Sequence, residues 1–116
     1  MGNQKIRYYS EEGENFADVF VSENLTFKCR VSGMNNSGDT VILLHGFPET
    51  SRMWYKLIKV LDSKNFRVIA PDQRGYSPGA RPLKIKDYKI NALTLDIINI
   101  ANLFDANRFH LIGHDW

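Results

Sequence analysis

The chain has 116 residues, of which 43% are hydrophobic, 12% aromatic and 24% charged, and its formal net charge is +2. These fractions are those of an ordinary globular domain and exclude a disordered or fibrous protein. The small charge, spread along the chain, argues against a nucleic-acid partner, and no apolar run approaches the roughly 18 residues of a membrane span. Because the N-terminal residues lack a signal-peptide core and Cys29 is the only cysteine, we expect a cytoplasmic protein without disulfides or a membrane partner.

The N-terminal region is polar as far as residue 16, and we expect it to be a loose lead-in to a domain that occupies residues 17–116. From Asp18 onwards apolar residues alternate with polar ones, which is the pattern of a half-buried strand. Glu23 and Asn24 fall where a turn is needed. The pattern therefore predicts a β-hairpin from about Asp18 to Ser32.

Three apolar runs follow the hairpin, and they read TVILLHG (40–46), FRVIAPD (66–72) and RFHLIG (108–113). Such runs are typical of parallel strands that are buried on both faces, although periodicity alone leaves a buried helix open for the first of them. The segment QRGYSPGARPLKIK (73–86) contains glycines and prolines throughout and predicts a long loop after the second run. We therefore expect three buried strands with a long, functional loop after the second.

Two helices are predicted between these strands. The first has apolar residues at helical spacing and can be capped by Thr50 or Ser51; these apolar residues are Trp54, Leu57, Ile58 and Leu61. The second can be capped by Asp87 and has an apolar stripe from Ile90 to Phe104. The order hairpin, strand, helix, strand, helix, strand predicts an α/β fold with parallel strands and helices on both faces of the sheet.

The C-terminal residues Gly113, His114, Asp115 and Trp116 directly follow the third predicted strand. They fit the first four places of the pattern Gly-x-nucleophile-x-Gly, a strained turn between a strand and a helix that presents a nucleophile at its tip. The sequence ends before the second glycine of the pattern. Taken alone, these residues leave open an ordinary turn with a solvated Asp115.

Two further motifs lie at the ends of predicted strands, since HGFP follows the first and PDQRGYS the second. Ligands bind at the carboxyl ends of parallel strands. In HGFPET, APDQRGYS and GHDW the sequence resembles the α/β-hydrolase superfamily, in the branch with an Asp nucleophile that includes epoxide hydrolases and haloalkane dehalogenases. The resemblance runs from about Asp18 to Trp116. It implies the N-terminal part of an α/β-hydrolase fold, truncated at the nucleophile elbow, with the cap and the C-terminal core absent.

By this resemblance, Asp115 is the nucleophile that attacks a small-molecule substrate, an epoxide or an alkyl halide, and forms an alkyl-enzyme ester that water then hydrolyses. The backbone N–H groups of Phe47 and Trp116 form the oxyanion hole. A cis peptide before Pro48 would aim the Phe47 amide into the site, with a simple turn as the alternative. The resemblance implies a triad His and a triad acid that these residues do not supply, so we expect the 116-residue chain alone to be inactive.

The remaining motif residues are expected to support the site. His45, which forms the HG pair with Gly46, should fix the oxyanion loop through hydrogen bonds rather than act as a base, and His114 should be packed. Asp72 and Arg74 either anchor the loop after the second strand or form a solvent-exposed pair, and the sequence leaves both open. No second cluster of Cys, His or carboxylate residues has the spacing of metal ligands, so we expect neither a metal nor another cofactor.

Among the reactions of this branch, epoxide hydrolysis is favoured, because many haloalkane dehalogenases carry a polar halide-binding residue in place of Phe47. Trp116 does not discriminate, and a haloalkane dehalogenase is the first alternative. The second alternative is a non-catalytic fragment that folds only with a complementary segment, because the strand that ends at Gly113 would be an exposed apolar sheet edge. The oligomeric state is left open.

Overall fold

The computed structural model describes residues 5–46, 49–82 and 88–114. The elements within these residues are, in chain order, β1 (Ile6–Glu11), β2 (Glu14–Ser22), β3 (Leu25–Ser32), β4 (Thr40–Leu44), a 3-10 helix (Ser51–Trp54), α1 (Tyr55–Ser63), β5 (Arg67–Pro71), α2 (Ile90–Leu103) and β6 (His110–Gly113). All the strands join one sheet in the order β1-β2-β3-β5-β4-β6. Three neighbouring pairs are antiparallel, namely β1 with β2, β2 with β3, and β3 with β5. In contrast, β4 runs parallel to both of its neighbours, β5 and β6.

Successive residues of β4 face opposite sides of the sheet, and both sides are covered. Val41 and Leu43 belong to a buried cluster with Ile58 of α1. Ile42, between them, belongs to a second cluster on the other side, together with Ile97 of α2. This arrangement confirms the α/β fold with helices on both faces, and it excludes the buried-helix alternative for the first apolar run.

The N-terminal region is more ordered than its polarity suggests. The expectation of a loose lead-in over residues 1–16 is wrong for Ile6–Glu11, which forms β1 and pairs with β2. Glu12 and Gly13 connect the two strands with φ values of 50° and 81°, and positive φ at both positions is typical of a two-residue hairpin turn. Because β1 is an edge strand with mostly exposed side chains, its polar residues are compatible with a strand.

The hairpin predicted between Asp18 and Ser32 is confirmed, with β2 and β3 joined by a turn at Glu23 and Asn24. It is longer than expected, because β2 already begins at Glu14. Its inward-facing residues are fully buried beneath α2 and include Val19, Phe27 and Cys29. The antiparallel strands thus supply much of the core on that face.

Both predicted helices are present. Thr50 caps the first, because its side-chain oxygen accepts the N–H of Arg52 at 3.3 Å, and the leading turn is the 3-10 helix. The second begins after Lys89, and the expected cap Asp87 lies outside the described residues. Its apolar stripe is buried towards the C-terminal end, whereas Ile90 is exposed. In the described part of the chain, neither helix is long and apolar enough to cross a bilayer.

The third apolar run forms β6, but its residues are exposed rather than buried. Among the described residues β6 pairs only with β4, so its outer side is uncovered there. Leu111 and Ile112 are 55% and 39% exposed. The expectation of a buried third strand is therefore wrong, whereas the exposed apolar edge expected for a strand ending at Gly113 is present.

Candidate active site

One cavity of about 590 Å³ lies where the carboxyl ends of β4, β5 and β6 meet. Because β4 runs parallel to both neighbours, the segments that leave these strands emerge at the same edge of the sheet. Its polar and glycine lining consists of His45, Gly46, Gln73, Arg74, Tyr76, Gly113 and His114. Ile90 and Leu93 of α2 add an apolar wall. The described parts of all three sequence motifs therefore share this cavity.

His45 follows β4 and is held in one orientation by its neighbours, with 5% of its surface exposed. Its Nε2 accepts the backbone N–H of Gln73 at 3.0 Å, and its Nδ1 lies 3.2 Å from the carbonyl oxygen of Gly46. An acceptor at Nε2 requires the proton of a neutral ring on Nδ1, which then donates to Gly46. The ring also packs edge-on against Tyr76, with centroids 4.8 Å apart. Both ring nitrogens are thus engaged, as expected for a residue that fixes a loop.

The carbonyl oxygen of Gly46 accepts two hydrogen bonds. That oxygen accepts the N–H of Glu49 at 2.8 Å in addition to the bond from the His45 ring. The main chain of His45 is held as well, because the side-chain amide of Gln73 donates to its carbonyl oxygen at 2.5 Å. The segment that carries the HG motif is therefore fixed from the loop that follows β5.

Arg74 forms a bidentate ion pair with Asp96 on α2. Its Nε donates to Oδ2 at 2.8 Å and its Nη2 to Oδ1 at 2.7 Å. Only 10% and 5% of the two side chains are exposed. Planar, bidentate pairing of this kind fixes the guanidinium in direction as well as position. Arg74 is therefore a buried anchor between the loop and the helix, and the alternative of a solvent-exposed pair is wrong.

Asp72 anchors the same loop to a different element. Its Oδ1 accepts the N–H of Ser51 at 2.8 Å, at the start of the 3-10 helix. The buried hydroxyl of Ser77 donates to the carbonyl of Asp72 and accepts the N–H of Lys28 at 3.0 Å, which ties the loop to β3. Asp72 and Arg74 thus hold the loop through the 3-10 helix and through α2, respectively.

Gly75 allows the loop to turn between these anchors. Its φ of +93° lies in the region that side chains rarely adopt, and its N–H donates to Ala80 at 2.8 Å. A Cβ at this position would lie 3.0 Å from the ring of Tyr88. The glycine of the RGYS motif is therefore required both by its backbone conformation and by the close approach of Tyr88.

The four residues with the most direct predicted roles, Phe47, Pro48, Asp115 and Trp116, lie outside the described residues. His114, beside them, was expected to be packed but is exposed, because it follows the edge strand β6. Its N–H still donates to Leu44 at 3.0 Å, and its ring lies 6.5 Å from that of Trp54.

The sequence analysis did not single out Gln73 or Asp96. The sequence does indicate that Asp96 is paired, because it is the only charged residue of α2 and lies beside the apolar stripe, where a carboxylate needs a partner. No sequence pattern indicates the role of Gln73, since its contacts to His45 depend on how two distant segments meet. Among the described residues, no group of three or more His, Cys, Asp or Glu side chains is arranged to hold a metal ion.

A histidine and a carboxylate form a pair at the opposite end of the same strands. His110 begins β6, and its Nε2 is 3.0 Å from Oδ2 of Asp39, which precedes β4. The two side chains are 61% and 73% exposed. This pair is at the amino edge of the sheet, away from the cavity that the three motifs share.

Comparison with known proteins gives one consistent result. A family model described as the alpha/beta hydrolase fold matches residues 39–116. Epoxide hydrolase A of Mycobacterium tuberculosis is 43% identical over 76 residues, which are 66% of this chain and 24% of that protein. A fluoroacetate dehalogenase from a Burkholderia species is 34% identical over 95 residues, 79% of this chain and 30% of that protein.

The structural similarity extends over nearly the whole chain. The crystal structure of epoxide hydrolase A from Mycobacterium thermoresistibile matches with a TM-score of 0.72 and 31% identity, covering 96% of this chain and 31% of that one. The chain spans between about a quarter and a third of the length of the curated relatives it matches.

Proposed function

The chain belongs to the α/β-hydrolase superfamily, and from that premise we propose that it is part of an epoxide hydrolase-like enzyme with Asp115 as its nucleophile. Two lines of support lead to this proposal. Relatives and solved structures that match the chain include epoxide hydrolases. In addition, Gly113 and His114, which directly precede Asp115, line the same cavity as the HG motif.

In the proposed first step, a carboxylate oxygen of Asp115 attacks a carbon of the epoxide. A C–O ester bond forms while the ring C–O bond breaks, and the ring oxygen leaves with the electron pair and takes a proton from an acid. A carboxylate suits this step because it is ionised at pH 7 without a base. Attack on a saturated carbon gives an ester, whereas attack on an ester carbonyl would give a reactive anhydride.

In the proposed second step, water adds to the ester carbonyl of Asp115. A base takes one proton of the water, and the tetrahedral oxyanion collapses by breaking its bond to the alkyl oxygen. That oxygen takes the proton back from the base to give the diol, and the Asp115 carboxyl group returns its remaining proton to the acid of the first step, which restores the carboxylate. We assign stabilisation of the oxyanion to the backbone N–H groups of Phe47 and Trp116, and the loss of one such donor typically costs on the order of 3 kcal/mol in the barrier. His45 is not placed to activate the water, since both of its ring nitrogens are bonded. We assign that base, and the acid of the first step, to residues outside this sequence.

The observation that carries the proposal is the meeting of the HG, QRG and GH segments at one cavity. The experiment that tests it uses the intact polypeptide that carries this sequence, mixed with a styrene-oxide-type substrate and quenched with acid. We expect mass spectrometry to find a covalent adduct on the peptide that contains Asp115. The Asp115→Asn variant should show no adduct, whereas Asp105→Asn, at an exposed aspartate, should behave as the wild type. Turnover of epoxides without an adduct at any quench time would refute the assignment.

Halide chemistry is the second candidate, because one matching relative is a fluoroacetate dehalogenase. The same nucleophile would expel a halide ion from an alkyl halide and form the same ester. We favour the epoxide because Phe47 offers no polar side chain to a halide. Measuring diol formation and halide release side by side with matched substrates decides between the two. Faster halide release would replace the epoxide proposal with the dehalogenase.

The 116-residue chain by itself is proposed to be inactive and to need a complementary segment. The exposed apolar residues of the edge strand β6, Leu111 and Ile112, support this view. Size-exclusion chromatography combined with circular dichroism on the isolated chain is the test. Aggregation, or folding only on addition of the complementary segment, is the expected result. A cooperative, monomeric fold would contradict it.

A further inference from the structure

A continuous set of contacts joins helix α2 to the carbonyl group of Gly46, which follows β4. Asp96 holds Arg74 through two hydrogen bonds, and the adjacent Gln73 holds His45 through its backbone N–H and its side-chain amide. The ring of His45 in turn donates to the carbonyl oxygen of Gly46. The contacts therefore run from the buried carboxylate of α2 to a single carbonyl group at the cavity.

That carbonyl belongs to the peptide group between residues 46 and 47. A peptide group is planar, so a contact that fixes the direction of its C=O also fixes the direction of its N–H. The Gly46 oxygen is held by two donors, the His45 ring at 3.2 Å and the Glu49 N–H at 2.8 Å. The N–H of the same group is the one that the proposed function assigns to the oxyanion hole.

We propose that Asp96 and Gln73 are positioning residues for this oxyanion amide, an inference that rests on the proposed function. Asp96 fixes Arg74 and the start of the loop, the loop presents Gln73 to His45, and Gln73 keeps His45 in the tautomer that donates to Gly46. Neither residue touches the reacting atoms.

The burial of the Arg74–Asp96 pair supports a role other than stability. Taking two charges out of water costs free energy that their attraction often fails to recover, so a buried ion pair adds little to stability by comparison with apolar side chains. The pair does fix direction, because its two bonds use one edge of a planar guanidinium. A role in orientation accounts for a lone carboxylate on an otherwise uncharged helix.

The tautomer of His45 gives a test that does not depend on activity. In ¹⁵N-labelled intact polypeptide, long-range ¹H–¹⁵N spectra of the histidine rings identify the protonated nitrogen, and the signals that are lost in the His45→Gln variant are those of His45. We expect the Nδ1–H tautomer in the wild type and a mixture of tautomers in Asp96→Asn and Gln73→Met. An Nε2–H tautomer in the wild type would overturn the inference.

The kinetic test separates the two chemical steps. Only ester hydrolysis forms a tetrahedral oxyanion at the carbonyl of Asp115, so a misdirected amide should slow hydrolysis and leave alkylation unchanged. In rapid-quench experiments we expect Asp96→Asn and Gln73→Met to slow hydrolysis by about tenfold to a hundredfold, with alkylation within about twofold of the wild type, so that the covalent adduct accumulates. Unchanged hydrolysis in both variants would contradict the inference.

Asp62→Asn is the matched control. Asp62 also accepts one hydrogen bond at each carboxylate oxygen, from Ser32 at 2.5 Å and from Asn36 at 3.0 Å, but it does not line the cavity. This variant should lose stability without changing the tautomer or the hydrolysis rate, and an equal slowing in it would overturn the inference. If Asp96→Asn does not fold, Gln73→Met decides, since it leaves the ion pair intact. If no adduct forms with any substrate, the proposed function fails, and the spectra then decide only whether Asp96 and Gln73 set the tautomer of His45.

Discussion

The two ends of the parallel strands carry similar side chains in opposite environments. At the carboxyl end, His45 is buried and the Arg74–Asp96 pair is almost completely shielded from water. At the amino end, His110 and Asp39 form a close pair in which both side chains are more than half exposed. Water competes with exposed pairs and screens them, so they orient little. Burial, rather than the presence of a histidine beside a carboxylate, therefore separates the candidate site from an ordinary surface contact.

The largest expected effect comes from removing one partner of the buried pair. Asp96→Ala should lower the free energy of unfolding by about 3–5 kcal/mol, because it removes the carboxylate that accepts two hydrogen bonds from the buried Arg74 side chain. Urea denaturation of the intact polypeptide measures the change. The double variant Arg74→Met with Asp96→Leu should recover most of the loss. A loss below 1 kcal/mol in Asp96→Ala would show that the buried pair contributes no more to stability than the exposed pair of His110 and Asp39.

An intermediate effect is expected at Asp62, which holds the loop before β4 near the amino end. Hydrogen bonds from Ser32 and Asn36 lower the pKa of its carboxyl group. A lowered folded pKa contributes stability above the unfolded value, near 3.9, and that contribution is lost as the pH falls through the folded pKa. Asp62→Asn should therefore cost about 1 kcal/mol at pH 7 and clearly less near pH 3.

The urea midpoints of the wild type and Asp62→Asn at the two pH values check this prediction. The urea midpoints of Asp18→Asn at the same two pH values serve as a comparison, since Asp18 pairs with the exposed Arg7 on the antiparallel strands. A difference between wild type and Asp62→Asn that grows as the pH falls would have the wrong sign for a lowered pKa.

The smallest effect is expected at the exposed pair. His110→Gln should change the free energy of unfolding by less than about 1 kcal/mol, because the pair with Asp39 is solvated in the folded state. The same denaturation experiment measures the change, and a loss comparable to that of Asp96→Ala would remove the contrast between the two ends.

Local sequence patterns predicted the elements whose environment is uniform along their length. The apolar runs of β4 and β5 are buried on both faces, so composition alone identifies them. β1 was missed because an edge strand can be polar, and β6 was expected to be buried because its composition does not reveal that, among the described residues, it has a neighbour on one side only. Composition reports what a strand can tolerate, whereas burial depends on its neighbours in the sheet.

For the candidate site, too, one part could be predicted from the sequence and another could not. The glycine and histidine motifs at strand ends predicted which segments meet, because parallel strands bring their carboxyl ends together. The contacts that hold those segments could not be predicted, since Gln73 meets His45 only after β4 and β5 have paired. Asp96 could have been inferred to be paired from its place in an apolar helix, but its partner could not.

The single thiol of this chain offers a built-in reporter. Cys29 lies in the middle of β3 with no exposed surface, and burial raises the pKa of its thiol well above the ordinary value. An alkylating reagent such as iodoacetamide is expected to react when the hairpin core opens, because the thiolate is the reactive form, burial disfavours it, and the side chain has no exposed surface in the closed state. The labelling rate of Cys29 as a function of denaturant, followed on the peptide that contains it, thus records how often the core opens.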